Sequence, residues 1–296
     1  MILLIINPLI ILLYYYILMD YKNLLSGAGA GVITKTITSP LDRIKILYQT
    51  DIINKNISLG NNIKNIYKSQ GLLSFYRGNL TNIIKIVPNY SLKFTFNEFY
   101  KKKLWNKTNN LSILQLMSVG MLTGTSLITI THPLDVLKTR FAISDKNQSF
   151  YRYSRNVLIN EGIGGFYKGF NVSIVSGSLF IGLQLASYDI YKSYLKNKID
   201  NNILSNLISG AGCGLTAVLL TYPGDVIHKK MHINGKLNEK KLYNNTLDCI
   251  KKTISKHGIR NGLYSGLSIA IIKTIPSAGI QFASYDFCKK LLNKII

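Results

Sequence analysis

One pattern occurs three times in this chain, at intervals of about 90 residues. Its copies read SPLDRIKILYQ, HPLDVLKTRFA and YPGDVIHKKMH, and each follows an apolar stretch rich in small residues. A second pattern follows each copy by about 30 residues, as GLLSFYRG, GIGGFYKG and GIRNGLYSG, and a third closes each unit, as NEFYK, YDIYK and YDFCK. Because three patterns recur in the same order, we predict three copies of one structural unit.

The segments between these patterns are suited to crossing a membrane. Uncharged runs extend over residues 111–132, 169–187 and 203–224, and two more, 78–97 and 262–285, are interrupted only by single lysines. A membrane helix needs about 20 mostly apolar residues. The runs also contain many Gly, Ser, Thr and Asn residues, which suits helices with one face on lipid and another on a polar cavity. Each unit is therefore predicted to be a membrane helix, a short surface helix and a second membrane helix.

The predicted fold class is all-α membrane, with six transmembrane helices in three repeats around a pseudo-threefold axis. The predicted repeats are residues 21–106, 107–199 and 200–296. Residues 1–20 are almost wholly apolar and lack the basic region and cleavage site of a secretory signal, so we interpret them as an N-terminal appendage to the core.

The net charge of +23 has two interpretations. A basic balance is typical of nucleic-acid binding, but it is also typical of loops that face anionic lipid. No RNA- or DNA-binding motif accompanies the charge, so the second interpretation is favoured and no nucleic-acid partner is predicted. The three cysteines and four histidines show no metal-ligand spacing, and no nucleophile stands beside a base. We therefore predict no metal, no cofactor, no catalytic residue and no enzyme activity.

The repeated patterns resemble those of the mitochondrial carrier family, from about residue 22 to the end of the chain. That family has Pro-x-Asp/Glu-x-x-Lys/Arg, followed after a loop by Glu-Gly, an aromatic residue, Lys/Arg and Gly. The resemblance implies six tilted helices, three short matrix-side helices and alternating access controlled by two sets of salt bridges. It also implies a multi-pass monomer in the mitochondrial inner membrane, with another organellar membrane as the alternative, and contact with lipid, in particular cardiolipin.

The first membrane helix of each predicted repeat carries a proline, which removes a backbone donor and bends the helix. These helix kinks fall at Pro40, Pro133 and Pro223. The resemblance implies a matrix gate of three pairs, with Gln49 bracing the last of them: Asp42 with Lys138, Asp135 with His228, and Asp225 with Lys45. The alternative is a set of local i,i+3 pairs on solvated helix ends, each contributing a few tenths of a kcal/mol. Three repetitions in apolar surroundings favour the gate.

The cytoplasmic gate implied by the resemblance comes from the third pattern. Its residues are Glu98, Lys101, Asp189, Lys192, Asp286 and Lys289. The chain departs from the family pattern in several places. His228 replaces a basic residue of the matrix gate, which predicts a weaker or pH-sensitive link. In the loop pattern, Gln70 and His257 replace glutamate, and Ser265 replaces a basic residue.

Positions where the repeats differ are candidates for reading the substrate. Lys85, Ser176 and Lys273 each precede the third pattern by twelve residues, about 18 Å along a helix and near mid-membrane. A lysine at such a depth is costly unless it faces water or an anion. The substrate-binding candidates, placed with help from the resemblance, are Lys35, Lys85, Ser176, Gly177, Phe180, Lys273 and Thr274.

These lysines predict a small anionic substrate that bears phosphate. Within the family, KTITSPLDRIKILYQ and RGNLTNIIKIVP are similar to the coenzyme A, ATP-Mg/phosphate and adenine nucleotide branch. The sequence therefore predicts transport of a coenzyme A or adenine nucleotide type of anion, by exchange. Three alternatives remain: a carrier of another anion, a structural homologue that transports nothing, and a membrane protein that docks peptides or lipids on its basic face.

Overall fold

The computed structural model describes residues 21–55, 57–105, 111–144, 149–196, 198, 201–238 and 241–295. All regular elements in these ranges are helical, so the all-α prediction is confirmed. The predicted appendage at residues 1–20 lies outside the described residues.

Within these ranges, six long and three short α-helices follow one another in three long–short–long units. The long helices are α1 (Tyr21–Gln49), α3 (Asn79–Trp105), α4 (Ile113–Ile143), α6 (Phe170–Lys196), α7 (Asn202–Ile233) and α9 (Leu267–Ile295). The short helices are α2 (Leu59–Gln70), α5 (Phe150–Glu161) and α8 (Thr246–Gly258). At 1.5 Å per residue the long helices are about 40–48 Å in length, enough to cross a bilayer.

Hydropathy separates these long helices into two groups. Three segments are apolar enough to span a membrane by length and composition: Ile113–Ile143, Ile163–Leu195 and Leu204–Ile233. A fourth span results if a bent pair of segments near the carboxyl end is counted as one. This fourth span includes part of α9. The helices α1 and α3 carry lysines within their apolar stretches, which lowers their mean hydropathy.

The two glycines of each loop pattern mark helix boundaries. Gly71, Gly162 and Gly258 end the short helices with φ between +65° and +75°. Gly78, Gly169 and Gly266 stand just before the next long helix, with φ between +76° and +85°. Positive φ is inexpensive for glycine and costly for residues with a Cβ. The repeated G…G spacing therefore encodes two positive-φ positions in the connection from each short helix to the next long helix.

The six long helices form a closed ring. Each of them packs against the next one along the chain, and α9 packs against α1. The three helices that carry the repeated proline, α1, α4 and α7, also contact one another. Hydrogen bonds between them lie after these prolines: Arg43 Nε donates to the Ala142 carbonyl at 2.9 Å, and Arg140 Nε donates to the His232 carbonyl at 2.8 Å. These three helices consequently hold one end of the ring together.

Small residues let α4 and α6 approach closely. A Cβ placed on Gly120 would lie 2.6 Å from the Cα of Gly182, and one placed on Gly124 would lie 2.7 Å from the Cα of Ser178. Both contacts are with backbone, which cannot move aside like a flexible side chain. The small-residue stretch before Pro133 is therefore a helix-packing surface.

We expect Gly120→Ala to lower the unfolding temperature of the purified protein in detergent, because overpacking costs about 1–3 kcal/mol. Gly210→Ala is the matched control, since nothing lies within 4 Å of a Cβ added there. Equal unfolding temperatures for the two variants would contradict the close-packing interpretation.

Candidate functional site

Charged side chains from α1 and α7 meet just after the repeated prolines. The Lys45 ammonium lies 2.6 Å from Oδ2 of Asp225, and Nε2 of Gln49 donates to the same oxygen at 2.8 Å. Gln49 is fully buried. This is the arrangement expected for one gate pair and its brace.

Asp42 has two cationic neighbours from different helices. Lys138 of α4, its expected gate partner, lies 3.8 Å from Oδ2. Lys273 of α9 lies closer, with its ammonium 2.5 Å from Oδ1. The carboxylate is 6% exposed. Asp42 therefore joins three helices, because a lysine from the expected substrate site reaches down into the gate.

Asp135 is held differently from the expectation. Lys85 of α3 donates to both of its oxygens, at 2.8 and 2.7 Å. The expected partner, His228, instead turns to its own helix, with Nδ1 3.0 Å from the Gly224 carbonyl and Nε2 3.6 Å from Asp225. The imidazole is shorter than a lysine side chain, so it stays beside its own backbone and the longer Lys85 takes the carboxylate.

These contacts bring together the predicted substrate site and the predicted matrix gate, which the sequence places at different depths along the helices. Lys85 and Lys273 stand about 18 Å from the third pattern along their helices, yet their ammoniums bind Asp135 and Asp42. The four-carbon stem of lysine gives the reach that a count along the helix axis leaves out. Expected substrate residues and expected gate residues thus form one ionic cluster.

Two further lysines belong to this ionic cluster. Lys35 has no hydrogen bond or ion pair within the described part of the chain, and it interacts electrostatically with Lys273 and Asp42. Lys229 donates to Thr139 Oγ1 at 3.2 Å and interacts with both Asp135 and Asp225. Sequence reasoning missed Lys229. Its position next to His228, where the gate pattern lacks a basic residue, is the only signal for it.

The cluster carries more positive than negative charge among the described residues. Its lysines are Lys35, Lys45, Lys85, Lys138, Lys229 and Lys273, and its acids are Asp42, Asp135 and Asp225. Six ammoniums face three carboxylates, an excess of three positive charges. Such an arrangement inside a membrane protein can be neutralised by a multivalent anion or by water.

A cavity of about 280 Å³ opens beside this cluster. It is lined by Lys45, Ser176, Gly177, Phe180, Val218, Thr221, Tyr222, Asp225 and His228. The expected contact residues of α6 thus border the gate. Thr274, in contrast, donates to the Ala270 carbonyl of its own helix at 2.8 Å. The cavity combines two aromatic rings with charged groups, which suits an amphiphilic anion.

The opposite end of the ring lacks such pairing in the ranges that the structure describes. Glu98, Lys101, Asp189, Lys192 and Lys289 make no ion pair with one another there, and the side chain of Asp286 lies outside those ranges. Lys192 and Lys289 each lie 5.7 Å from the ring centre of a tyrosine in their own helix. Between the two ends, Lys93 donates to Oε1 of Gln184 at 3.1 Å. Among the described residues, the ion pairs between long helices thus lie at one end of the ring, which we call the closed end.

Comparison with known proteins gives a consistent result. The family model described as mitochondrial carrier protein matches residues 19–108, 109–199 and 200–295. A thylakoid ADP,ATP carrier protein of Arabidopsis thaliana is 31% identical over 92% of this chain and 66% of its own length. A mitochondrial adenyl nucleotide antiporter of Homo sapiens is 31% identical over 92% of the chain and 58% of its own length. The chain thus spans less than two thirds of the length of these relatives. A probable chloroplast envelope ADP,ATP carrier protein of Arabidopsis thaliana is 29% identical over 97% of the chain.

Proposed function

The chain belongs to the mitochondrial carrier family, and on that premise we propose that it exchanges a phosphate-bearing anion across an organellar inner membrane by alternating access. The observation that carries this proposal is the excess of three positive charges in the ionic cluster. A terminal phosphate group carries close to two negative charges at neutral pH, and a phosphate linked on both sides carries one, so a diphosphate matches this excess. The remaining alternatives, a structural homologue or a docking protein, have no use for desolvated lysines at this depth.

Adenine nucleotides are the favoured substrate class, and coenzyme A is the runner-up. Three of the relatives above are named as carriers of adenyl nucleotides or of ADP and ATP. Phe180 borders the cavity beside Lys45, which gives a flat ring an apolar surface next to a cation. Coenzyme A contains both an adenine ring and phosphates, so the same features accommodate it.

The lysine contacts suggest how substrate and gate are coupled. In this structure, Lys85 and Lys273 neutralise Asp135 and Asp42. An anion that binds both lysines competes with these carboxylates and weakens the ion pairs between helices at the closed end. A ligand shifts an equilibrium only through its differential affinity for the two states. On this scheme the closed end opens when such an anion binds, which favours exchange over one-way transport.

Purified protein in liposomes provides the test. We expect labelled ADP or ATP-Mg to accumulate only when the vesicles contain the same class of anion. The same assay tests coenzyme A, the runner-up. Vesicles loaded with chloride alone serve as the control, together with protein-free vesicles. Absence of uptake for every phosphate-bearing anion would contradict the proposal.

A membrane phospholipid is the proposed partner, with cardiolipin as the lipid that the family resemblance implies. A cavity of about 440 Å³ lies between the end of α1 and the start of α9, and Lys55 and Arg260 line it. The amino end of α9 begins there at Leu267, and helix amino ends favour phosphate. We propose the mitochondrial inner membrane as the location and a monomer as the working unit. The chloroplast relatives make a plastid membrane the alternative.

A further inference from the structure

A second layer of polar contacts lies beyond the ionic cluster at the closed end, and the second repeat shows its complete form. Glu161, just before Gly162, accepts from Arg140 at 2.7 and 2.9 Å and from Lys168 at 2.6 Å. Burial raises the pKa of Glu161, but hydrogen bonds from these two cations outweigh it and hold the pKa below the usual value. Both ion pairs lie within one repeat.

The first repeat has a neutral version of this layer. Gln70 stands where Glu161 stands, and its Oε1 accepts from Arg43 at 2.6 Å and from Arg77 at 3.1 Å. An amide oxygen satisfies the two guanidinium groups without neutralising them. The substitution of glutamate by glutamine therefore changes the charge of the layer but keeps its hydrogen bonds.

The third repeat lacks two of the three side chains that form this layer in the second repeat. His257 occupies the position of Glu161, and Ser265 occupies that of Lys168. Lys230, however, remains: it stands seven residues after Pro223, as Arg140 stands seven after Pro133, and it is 1% exposed. A buried cation without a carboxylate is strongly destabilising. The required carboxylate has to come from elsewhere.

Asp51 supplies it from the loop that follows α1. Its Oδ2 accepts from the Lys230 ammonium at 2.5 Å, Lys55 pairs with its other oxygen, and Nε2 of His257 lies 3.4 Å away. Burial raises the pKa of Asp51, but the hydrogen bonds from Lys230 and Lys55 keep it below the usual value. The backbone of Asp51 has φ +57°, a conformation that few residues with a Cβ adopt.

We propose that Asp51 replaces, from the first repeat, the carboxylate missing from the third, and that its pair with Lys230 is a second lock on the closed end. Asp225 and Lys230 are five residues apart on α7, so the lock lies about 7.5 Å beyond the Lys45–Asp225 pair. Opening the closed end separates α1 from α7 and therefore breaks both pairs. The Glu161 ion pairs, inside one repeat, survive the same motion. The proposal requires alternating access but no particular substrate.

The test is a distance between the first and third repeats. Spin labels replace Lys64 on α2 and Ser255 on α8, both exposed, in protein whose native cysteines are changed to alanine. We expect Asp51→Asn to raise the population of long distances relative to short ones by about ten-fold, since a hydrogen bond to a charged group contributes that much. Asp248→Asn is the matched control, because Asp248 pairs with Lys252 within α8 at 2.9 Å and its loss leaves the repeats tied.

A second variant separates loss of the lock from damage to the fold. Asp51→Asn leaves Lys230 unpaired, whereas Asp51→Asn with Lys230→Met removes the pair without leaving a buried charge. We expect the double variant to unfold at a temperature close to the parent's and to keep the long distances. Parent-like distances in the double variant, or in Asp51→Asn itself, would overturn the proposal. Because the readout needs no transported anion, failure of the uptake assay leaves this test intact.

Discussion

Lys85→Ala and Lys273→Ala are each expected to reduce exchange by about 100-fold or more, since truncating one partner of a buried charge pair costs about 2–5 kcal/mol. Each lysine has two tasks in the proposed mechanism. It neutralises a gate carboxylate in the empty protein, at 2.7 Å for Lys85 and 2.5 Å for Lys273, and it binds the anion during transport. Loss of the ammonium removes both.

The measurement is the initial rate of ADP exchange in liposomes, alongside the unfolding temperature in detergent. Lys103→Ala is the control, because Lys103 is exposed and lies 5.5 Å from the ring centre of Phe99. The conservative variant Lys85→Arg keeps the charge but changes its geometry, so we expect it to retain part of the activity. Normal exchange by both alanine variants, with folding intact, would remove these lysines from the binding site.

Reversal of the Lys45–Asp225 pair is expected to have the second largest effect. Lys45→Asp alone places two acids together, and Asp225→Lys alone places two lysines together. Each single variant therefore lacks the ion pair between α1 and α7. We expect each to reduce exchange by about ten-fold or more, since like charges placed together cost several kcal/mol. The double variant restores opposite charges across the same 2.6 Å contact. Gln49 supports both arrangements, because its buried amide oxygen has no hydrogen-bond partner within the described part of the chain and can accept from a lysine at position 225.

Exchange rates of the two single variants and the double variant form a closed cycle. Recovery in the double variant of a substantial part of the lost rate is the expected result. A double variant as inactive as the worse single variant would show that these side chains do more than pair with each other. Spectroscopic helix content serves as the check that all three proteins are folded.

The sequence could predict contacts among residues of the proline pattern but not contacts between that pattern and other helices. The proximity of Lys45, Gln49 and Asp225 was accessible through the family resemblance, which implies a gate pair and a brace at these positions of the proline pattern. The binding of Asp135 by Lys85 was not, since it depends on how far a lysine of α3 reaches across to α4. His228 explains the difference, because a short imidazole in place of lysine leaves Asp135 open to another partner.

Asp51 was inaccessible for another reason. It lies in none of the three patterns, and nothing in its neighbourhood marks it as a counter-ion. The only sequence signal is that the third repeat lacks the glutamate of this layer, because His257 stands before Gly258. Departures from a repeat thus indicate where a partner must be found, but only the packing of α7 against the α1 loop identifies it.

The closure of the ring by α9 against α1 has a consequence for biosynthesis. Asp42 and Lys45 are made early, but their partners Lys273 and Asp225 belong to the last third of the chain. Until that part is inserted, both charges lie in the membrane without these counter-ions, a costly state. A product that stops after the second repeat is therefore expected to be short-lived in the cell, since chaperones and proteases continuously remove incompletely folded protein.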